Sequence, residues 1–402
     1  MQEYPIIAFA ASLILGYGLF SKAFEKSVIS APMIFVTTGI IMSFFVGESW
    51  IEGINANWVA PIAEITLILV LFTDASTLDR KFLFKDRALP LRLLLIGLPL
   101  TMVLGIVIAF ALFPGTDKWR LAMMAIILSP TDAALGLAVV TSKIVPLRIR
   151  QTINAESGLN DGIALPPLLV CLAVLSAGSA EHAGFAYWGT FTLKQFVFGP
   201  VIGGLVGWIG GRLVELASKK SWMSHTFQSL ASLSIAILAF SLAELVHGNG
   251  YIAAFFAGLM LGTNTSETRE RIHDFSESVS QALILFIFLL MGLVLVPMSV
   301  PYWNWQTLLY AVLSLTVIRM LPVALCLIRS GLKMPAINFI GWFGPRGIAS
   351  VLYVLLVLNR VGQTGNEKVI AVISLTVLLS IFLHGISAIP YSRIFQKNPG
   401  LS

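Results

Sequence analysis

The sequence predicts an all-α protein that crosses a lipid bilayer about thirteen times. Hydrophobic residues make up 57% of the chain and charged residues only 11%, whereas soluble domains are about 45–50% apolar and about 25% charged. Apolar runs of about 20 residues, the length that a spanning helix needs, recur along the whole chain. A few ionisable residues lie in the middle of such runs, where a bilayer makes them costly. This composition is typical of a polytopic membrane protein rather than a soluble domain.

Thirteen apolar runs are candidate membrane spans. The first run follows Glu3 and has no preceding Lys or Arg, so we expect a retained helix rather than a cleaved signal peptide. The ninth run is short, and a tilted or half-inserted segment is the alternative for it. No soluble regulatory tail is expected after the last run. The predicted spans are 4–21, 28–46, 58–76, 92–113, 119–142, 149–177, 190–217, 226–246, 250–263, 278–298, 306–330, 336–358 and 368–390.

The basic residues set the orientation of these spans. If the N-terminus lies outside, most of the 26 Lys and Arg residues fall in loops on the inner side, as the positive-inside rule requires. The odd number of spans then places the C-terminus in the cytoplasm. The formal net charge of +6 therefore reflects topology rather than nucleic-acid binding. We expect an integral protein of the cell (inner) membrane, surrounded by the lipid bilayer.

Two spans are interrupted by proline and glycine. Span five contains ILSPTDAALG, with Pro130 in its middle. Span twelve contains GWFGPRGIAS, where Pro345 lies between Gly344 and Gly347. Proline removes a backbone donor, and a bilayer tolerates such breaks only where protein or a cavity surrounds them. A pair of interrupted helices in two halves of a chain is typical of inverted-repeat secondary transporters, whereas two proline kinks without a site are the alternative.

The sixth span carries a dense polar segment, NAESGLNDG, inside an apolar helix. Glu156 and Asn160 are four residues apart and are predicted to share one helix face. Ser157 and Asp161 have the same spacing and are predicted to face one cavity together. A carboxylate, a hydroxyl and the free carbonyls of a broken helix form a hard-oxygen site. Such a site suits small cations such as Na⁺ or Li⁺ rather than soft metals.

Buried charges in these spans need partners. Glu156 is the expected counter-ion of Arg346 in the span-twelve break, because an unpaired charge at that depth is strongly destabilising. The carboxylates of Asp132 and Asp161 then have no obvious permanent cation. A carboxylate that titrates near neutral pH and also binds Na⁺ lets a proton and a cation compete for one group.

Taken together, SPTDAALG, NAESGLNDG and FGPRG resemble the motifs of the monovalent cation:proton antiporter superfamily. More narrowly, the chain resembles the electroneutral branch of NhaP-type bacterial and archaeal antiporters and eukaryotic sodium/proton exchangers. The resemblance covers essentially the whole chain. It implies the NhaA-like antiporter fold, with inverted repeats and two unwound crossing helices, and a transporter rather than an enzyme. No cofactor is implied, and the transported ions are a proton and Na⁺, with Li⁺ or K⁺ as alternatives.

The resemblance implies a role for each polar residue at the crossing. Asp161 matches the aspartate that binds the cation and the proton, and Asn160 matches the first member of the Asn-Asp pair of the electroneutral branch. Ser157 and Thr131 match positions that lend oxygens to the cation. Asp132 matches the aspartate of the unwound span five, which acts through water. One cation is then exchanged for one proton.

Other matching residues support the crossing or its approach. Glu156 and Arg346 match an ion pair that holds Asn160 in place. Arg319 resembles the basic residue of span eleven that neutralises helix ends, and Asp74 in LVLFTDAS resembles an acidic residue near the cytoplasmic funnel. The chain departs from the family in span five, because its proline precedes the Thr-Asp pair whereas many members read Thr-Asp-Pro. Which carbonyls the break frees is therefore left open by the sequence.

The resemblance also implies a division into bundles within one transmembrane domain. A scaffold bundle is expected at 1–78 and 226–298, a linker helix at 190–217, and a core ion-translocation bundle at 92–178 and 306–396. In relatives the scaffold forms a homodimer, so a homodimer is expected for this chain.

Two other functions fit parts of the pattern. An inverted-repeat carrier for organic anions, of the bile-acid type, needs free positive charge at its site, whereas Asp132 and Asp161 outnumber the one arginine left over. An intramembrane aspartyl protease could use these two acids as a catalytic pair. Such enzymes share a Gly-x-Gly-Asp signature, however, and this chain reads GLND at 158–161. A Na⁺-dependent pH signal in vesicles distinguishes the three functions.

Overall fold

The structure, a computed structural model, describes residues 4–24, 27–45, 59–77, 88–132, 135, 137–140, 142–176, 185–261 and 266–397. In these residues every regular element is a helix, so the all-α fold predicted from the sequence is confirmed. Helices suit a bilayer because each satisfies its own backbone hydrogen bonds without water.

The helices are labelled in chain order, and most are long and strongly apolar. They are α1 (Tyr4–Phe24), α2 (Ala31–Ser43), α3 (Val59–Thr77), α4 (Ala88–Leu112), α5 (Lys118–Ile127), α6 (Leu137–Val140), α7 (Leu147–Ser176), α8 (Phe185–Lys219), α9 (His225–Leu245), α10 (Gly250–Met260), α11 (Ser266–Leu290, continued by Met291–Leu295 and Val296–Ser299), α12 (Trp305–Leu315), α13 (Val317–Cys326), α14 (Met334–Trp342), α15 (Ile348–Val361) and α16 (Glu367–Lys397).

Each predicted span contains a helix or a pair of helices. Among the described residues, nine helices are long and apolar enough to cross a membrane, and α2, α10 and α15 are shorter apolar helices. The predicted breaks in spans five and twelve are confirmed, since these spans consist of α5 with α6 and of α14 with α15. The total of thirteen spans stays a prediction.

Span eleven is also divided, which the sequence did not predict. Its two helices, α12 and α13, meet at Thr316, whose backbone leaves the helical region with φ −113° and ψ −92°. The Thr316 hydroxyl donates to the Val312 carbonyl at 2.7 Å. A threonine that bonds back to the preceding turn in this way bends a helix, and no proline is needed.

Two helices contain a π-helical turn, and each turn ends shortly before a proline. In α4 the turn is Leu93–Gly97 and is followed by Pro99; in α11 it is Met291–Leu295 and is followed by Pro297. Because proline lacks an N–H, the helix next to it accommodates a different hydrogen-bond spacing.

The chain forms two compact units. The first comprises the described residues of 1–61, 82–164 and 284–402, and therefore contains both predicted breaks. The second comprises the described residues of 62–81 and 165–283. The division into scaffold, linker and core bundles stays a prediction.

In the first unit, an aromatic cluster fixes α14 before its end at the break. The rings of Phe339 and Phe343 have centroids 4.5 Å apart, and Phe395 packs edge-on against Phe339 at 4.8 Å. Leu93 and Ile149 belong to the same buried cluster. This packing ties α14 to α4, α7 and α16, so the segment that follows α14 starts from a fixed point.

In the second unit, glycines bring α8 and α10 into close contact. A Cβ at Gly203 would meet the backbone of Ala253, and a Cβ at Gly207 would meet the backbone of Ala257, one turn further along. Small residues at a spacing of four let two membrane helices approach to backbone contact. Gly203 and Gly207 are therefore packing positions between the two helices.

Candidate functional site

The first broken helix ends just before Pro130. At the end of α5, Ser129 N donates to the Ile126 carbonyl at 3.1 Å, which closes a tight final turn. Pro130 has no N–H with which to continue the helix. Thr131 and Asp132 are consequently non-helical, and both are buried, with exposed fractions of 2% and 8%. Their backbone and side-chain oxygens are therefore available to groups other than the helix.

The second broken helix places an arginine between its two halves. α14 ends at Trp342 and α15 begins at Ile348, with Pro345 between them. Arg346 follows this proline and is fully buried. Its backbone N donates to the Ser380 hydroxyl of α16 at 2.7 Å. The position of the break is thus held by a neighbouring helix.

Asp132 caps the start of α15. Its Oδ2 accepts a hydrogen bond from Ile348 N at 2.8 Å, and its own N donates to the Pro345 carbonyl at 2.9 Å. A carboxylate at a helix N-terminus satisfies an open N–H and faces the positive end of the helix dipole. Gly347 makes this approach possible, because a Cβ at that position would collide with the Asp132 carboxylate.

Arg346 caps the opposite kind of helix end, the C-terminal end of α5. Its Nη1 donates to the carbonyls of Ser129 and Pro130 at 2.9 and 3.1 Å. The Ser350 hydroxyl donates to the Ile127 carbonyl at 2.8 Å. These carbonyls have no helical partner and lie at the negative end of the dipole, which a guanidinium stabilises. Each break therefore satisfies the open helix end of the other.

Thr131 joins the first break to α7. Its Oγ1 lies 3.0 Å from Ser157 Oγ and accepts a hydrogen bond from Asn160 Nδ2 at 2.7 Å. Asn160 Nδ2 also lies 3.3 Å from the Thr131 carbonyl oxygen. All three side chains are buried. The Asn160 amide and the Ser157 hydroxyl therefore both connect α7 to this break.

The contacts of the α7 side chains do not follow the two predicted pairs. Ser157 and Asn160 were predicted to lie on adjacent faces of the helix, and both contact Thr131. Residues three apart are neighbours on a helix, just as residues four apart are. Glu156, predicted to share a face with Asn160, contacts a different element. Spacing alone could not select between the two groupings.

The predicted ion pair between Glu156 and Arg346 is also wrong. Arg319 on α13 takes this place, because its Nη1 and Nη2 donate to the two carboxylate oxygens of Glu156 at 2.6 and 2.8 Å. The parallel fork matches a guanidinium to a carboxylate. Gly344 provides the room, since a Cβ there would collide with the Arg319 guanidinium. Arg346 instead serves the carbonyls at the end of α5.

Asp161 lies one turn beyond Ser157 and is buried, with an exposed fraction of 5%. Its backbone carbonyl accepts a hydrogen bond from the Tyr353 hydroxyl of α15 at 2.9 Å. The helix that Asp132 caps therefore also contacts the backbone of Asp161. Among the residues that the sequence selected, Thr131, Asp132, Ser157, Asn160 and Asp161 are all tied to the two breaks.

Asp74 is placed elsewhere in the chain. It lies near the end of α3, in the second unit, and is partly buried. The neighbouring Thr73 Oγ1 lies 3.3 Å from Ser280 Oγ of α11. A role for Asp74 in the approach to the site stays a prediction.

Three functional contacts were not predicted from the sequence: those of Tyr353, Ser350 and Ser380. Each side chain bonds a backbone group of a broken or proline-containing segment. Isolated hydroxyls in apolar helices carry no motif, so the sequence offered only a weak signal. For Ser380 the sequence offers one signal, because His384 lies four residues later in the same apolar helix. The Ser380 hydroxyl oxygen and His384 Nδ1 are 3.2 Å apart.

The sequence of this chain matches a known family of membrane transporters. The family model described as "Sodium/hydrogen exchanger, transmembrane" matches residues 9–393. The chain belongs to this family. The sequence-based resemblance to NhaP-type antiporters is therefore confirmed, and the chain is an integral membrane protein of a transporter family.

Relatives of this exchanger-family chain include antiporters from bacteria and yeast. The "K(+)/H(+) antiporter NhaP" of Alkalimonas amylolytica is 27% identical over 378 residues, which cover 92% of this chain and 63% of that protein. The "Na(+)/H(+) antiporter" of Schizosaccharomyces pombe is 24% identical over 418 residues, covering 94% and 88%. The chain thus spans less than two thirds of the length of the Alkalimonas protein.

A solved structure supports the fold. The sodium proton antiporter MjNhaP1 from Methanocaldococcus jannaschii, determined at pH 8, aligns with a TM-score of 0.77 and 20% sequence identity. The alignment covers 98% of this chain and 99% of MjNhaP1. The antiporter fold predicted from the sequence is confirmed.

Proposed function

We propose that this chain is a secondary antiporter that exchanges a monovalent cation for a proton. The observation that carries the proposal is the cluster of hard oxygen atoms at the two breaks. Ser157 and Asn160 both contact Thr131, and Asp132 and Asp161 both contact α15. Oxygen ligands of this kind suit small, hard cations. The names of the relatives, which include K⁺/H⁺ and Na⁺/H⁺ antiporters, point to the same reaction.

Asp161 is the proposed shared site for the cation and the proton. Its carboxyl group is buried in a membrane span, where the charged form is costly unless a proton or a cation compensates it. Binding of the cation therefore favours release of the proton, and protonation favours release of the cation. Alternating exposure of this one group to the two sides of the membrane then couples the two ion movements.

The neighbouring oxygens would complete the shell of the cation. Asn160 donates through Nδ2 to Thr131, while Asn160 Oδ1 is buried and accepts no hydrogen bond within the described residues. The Ser157 hydroxyl and the Thr131 carbonyl add further oxygens. Na⁺ is the proposed cation, with Li⁺ and K⁺ as alternatives, since all three accept such ligands.

The alternative of an organic-anion carrier has no support. Such a site needs cationic groups that face the substrate, whereas the fork of Arg319 holds Glu156 and Arg346 donates to two backbone carbonyls. The relatives are cation/proton antiporters by name.

The remaining features of the proposal concern orientation and assembly. We place the N-terminus outside and the C-terminus in the cytoplasm of the cell (inner) membrane, on the distribution of basic loop residues. We further propose a homodimer, with 1–78 and 226–298 as the scaffold. In this arrangement 92–178 and 306–396 form the moving core.

The decisive test is Asp161→Asn in proteoliposomes that contain a pH-sensitive dye. Addition of Na⁺ to wild-type vesicles with an acid interior should raise the internal pH, and the variant should show no such change, because an amide neither titrates nor balances a cation. Li⁺ and K⁺ additions to the wild type define the cation. Preserved Na⁺-driven exchange in the folded variant would exclude Asp161 as the shared site.

Asp117→Asn is the matched control for this experiment. Asp117 is exposed and caps the start of α5, accepting hydrogen bonds from Trp119 N and Arg120 N at 3.0 Å. Asparagine caps helices as well as aspartate does, so exchange should match the wild type.

A further inference from the structure

Tyr353 makes a contact for which no role has been assigned so far. It lies on α15, is completely buried, and donates its hydroxyl hydrogen to the Asp161 backbone carbonyl at 2.9 Å. The two residues are 192 positions apart in the chain. The contact therefore exists only because the fold brings α15 against α7 at the level of Asp161.

The helix that carries Asp161 is weakened directly after this residue. Pro166 and Pro167 lie inside α7. A proline has no N–H, so the carbonyls four residues earlier, those of Gly162 and Ile163, lose their helical donors. The turn that follows Asp161 is consequently held by fewer hydrogen bonds than an ordinary helical turn, and the Tyr353 hydroxyl adds a contact from outside the helix at the preceding carbonyl, that of Asp161.

The same helix, α15, contacts the other acid of the site. Its first residue, Ile348, donates its backbone N–H to Asp132 Oδ2 at 2.8 Å. Tyr353 lies five positions after Ile348, which corresponds to about 7.5 Å along a helix axis. α15 is therefore a single rigid element with one end on the Asp132 carboxylate and a side chain on the Asp161 backbone.

We infer that Tyr353 is a positioning residue that holds Asp161 at a set distance from Asp132 and so determines the affinity and selectivity for the cation. The inference rests on the proposed cation/proton exchange. A carbonyl oxygen can accept two hydrogen bonds, so Tyr353 adds a second restraint to the Asp161 turn without replacing the helical one. Loss of the hydroxyl removes the hydrogen bond that α15 makes to the Asp161 backbone, without removing either carboxylate.

Tyr353→Phe tests this role. In Na⁺-driven exchange, the apparent KM for Na⁺ should rise about 3- to 10-fold, the factor that corresponds to the loss of one hydrogen bond. The ratio of the KM values for Li⁺ and Na⁺ should also change, because the spacing of the oxygens selects the ion. The maximal rate should remain within about twofold of the wild type, since Asp161 still carries the ions.

Tyr310→Phe is the matched control. Tyr310 is also buried, and its hydroxyl donates to the Gly105 backbone carbonyl of α4 at 3.1 Å rather than to the backbone of α7. Both variants lose a buried tyrosine–carbonyl hydrogen bond, and both should lose similar thermal stability. Only Tyr353→Phe should alter the KM values. An unchanged KM in Tyr353→Phe, or an equal increase in both variants, would overturn the inference.

The test distinguishes failure of the proposed function from failure of the role of Tyr353, and it includes a substitute in case the variant does not fold. If the wild type shows no cation-driven exchange, the proposed function fails; if it exchanges ions and Tyr353→Phe has normal KM values, only the role of Tyr353 fails. If Tyr353→Phe does not fold, 3-fluorotyrosine at position 353 replaces it, because this residue keeps the ring and the hydroxyl and makes the hydroxyl a stronger donor. A KM for Na⁺ equal to that of the wild type would then contradict the inference.

Discussion

At the scale of single residues, Glu156 and Arg319 form a buried ion pair in which each charge is compensated by the other. Both side chains are about 98–99% buried, with exposed fractions of 2% and 1%. Two parallel hydrogen bonds satisfy both carboxylate oxygens. A buried pair of this kind contributes little net stability against an apolar pair, but the loss of one partner leaves an uncompensated charge. The pair therefore constrains which substitutions the protein tolerates.

Glu156→Gln should destabilise the protein markedly. The Arg319 charge would remain buried without its carboxylate, which costs about 3–5 kcal/mol in comparable pairs. The measurement is the thermal unfolding temperature of the detergent-solubilised protein. The double variant Glu156→Gln, Arg319→Gln removes both charges and should recover part of the loss. An unfolding temperature equal to that of the wild type in the single variant would show that the pair is not needed.

At the scale of elements, the two broken helices depend on each other. Arg346 of the second break donates to the open carbonyls that follow α5. Asp132 of the first break accepts a hydrogen bond from the first N–H of α15. Open helix ends in a dry interior are costly unless other groups satisfy them. Neither break could therefore exist alone at this depth, and the two form one structural unit.

Gly347→Ala should disrupt this unit. A Cβ at position 347 would collide with the Asp132 carboxylate, so Asp132 must move away from the start of α15. Displacement of a functional group by about an ångström can reduce a rate about 100-fold. Because Asp132 would be displaced in this variant, the initial rate of Na⁺-driven exchange should fall by about 10-fold or more. Initial rates of exchange in proteoliposomes, at equal amounts of folded protein, measure the effect.

Gly341→Ala is the control for that experiment. Gly341 lies in α14, and the three atoms nearest to a Cβ there belong to Met320, at ordinary contact distances of 3.4, 3.5 and 3.6 Å. This substitution should leave exchange close to that of the wild type. If both variants exchange normally, the close approach of Asp132 to α15 has no importance for function.

At the scale of the whole molecule, the proposed exchange moves no net charge. At the proposed ion site the Asn160 amide carries no charge, and Arg319 is paired with Glu156. On this proposal Asp161 alone exchanges its bound ion, so one cation is exchanged for one proton.

Exchange should therefore not respond to membrane potential. In proteoliposomes at a fixed pH gradient, an imposed diffusion potential of either sign should change neither the initial rate of Na⁺-driven exchange nor its end point. Vesicles without protein define the passive leak under the same potential. A rate or end point that follows the voltage would establish an electrogenic stoichiometry instead.

Much of this fold could be predicted because its determinants are local. Hydropathy selects the spans, and a helix or helix pair lies within each of them. Pro130 and Pro345 predicted two of the three broken spans, since the absence of a backbone N–H acts at the residue itself. The break at Thr316 escaped prediction, because a hydroxyl that bonds the preceding turn bends some helices and not others.

The sequence by itself determined the membrane class, the helical spans, the positions of two breaks and the list of polar residues that lie at depth. Hydrophobicity and proline geometry act over a few residues and need no partner. The tertiary structure alone decided that Glu156 pairs with Arg319, that Ser157 and Asn160 share Thr131, and that Tyr353 reaches Asp161. These contacts join residues 26 to 192 positions apart. They depend on how each helix is rotated and how deep it lies, which no local pattern specifies.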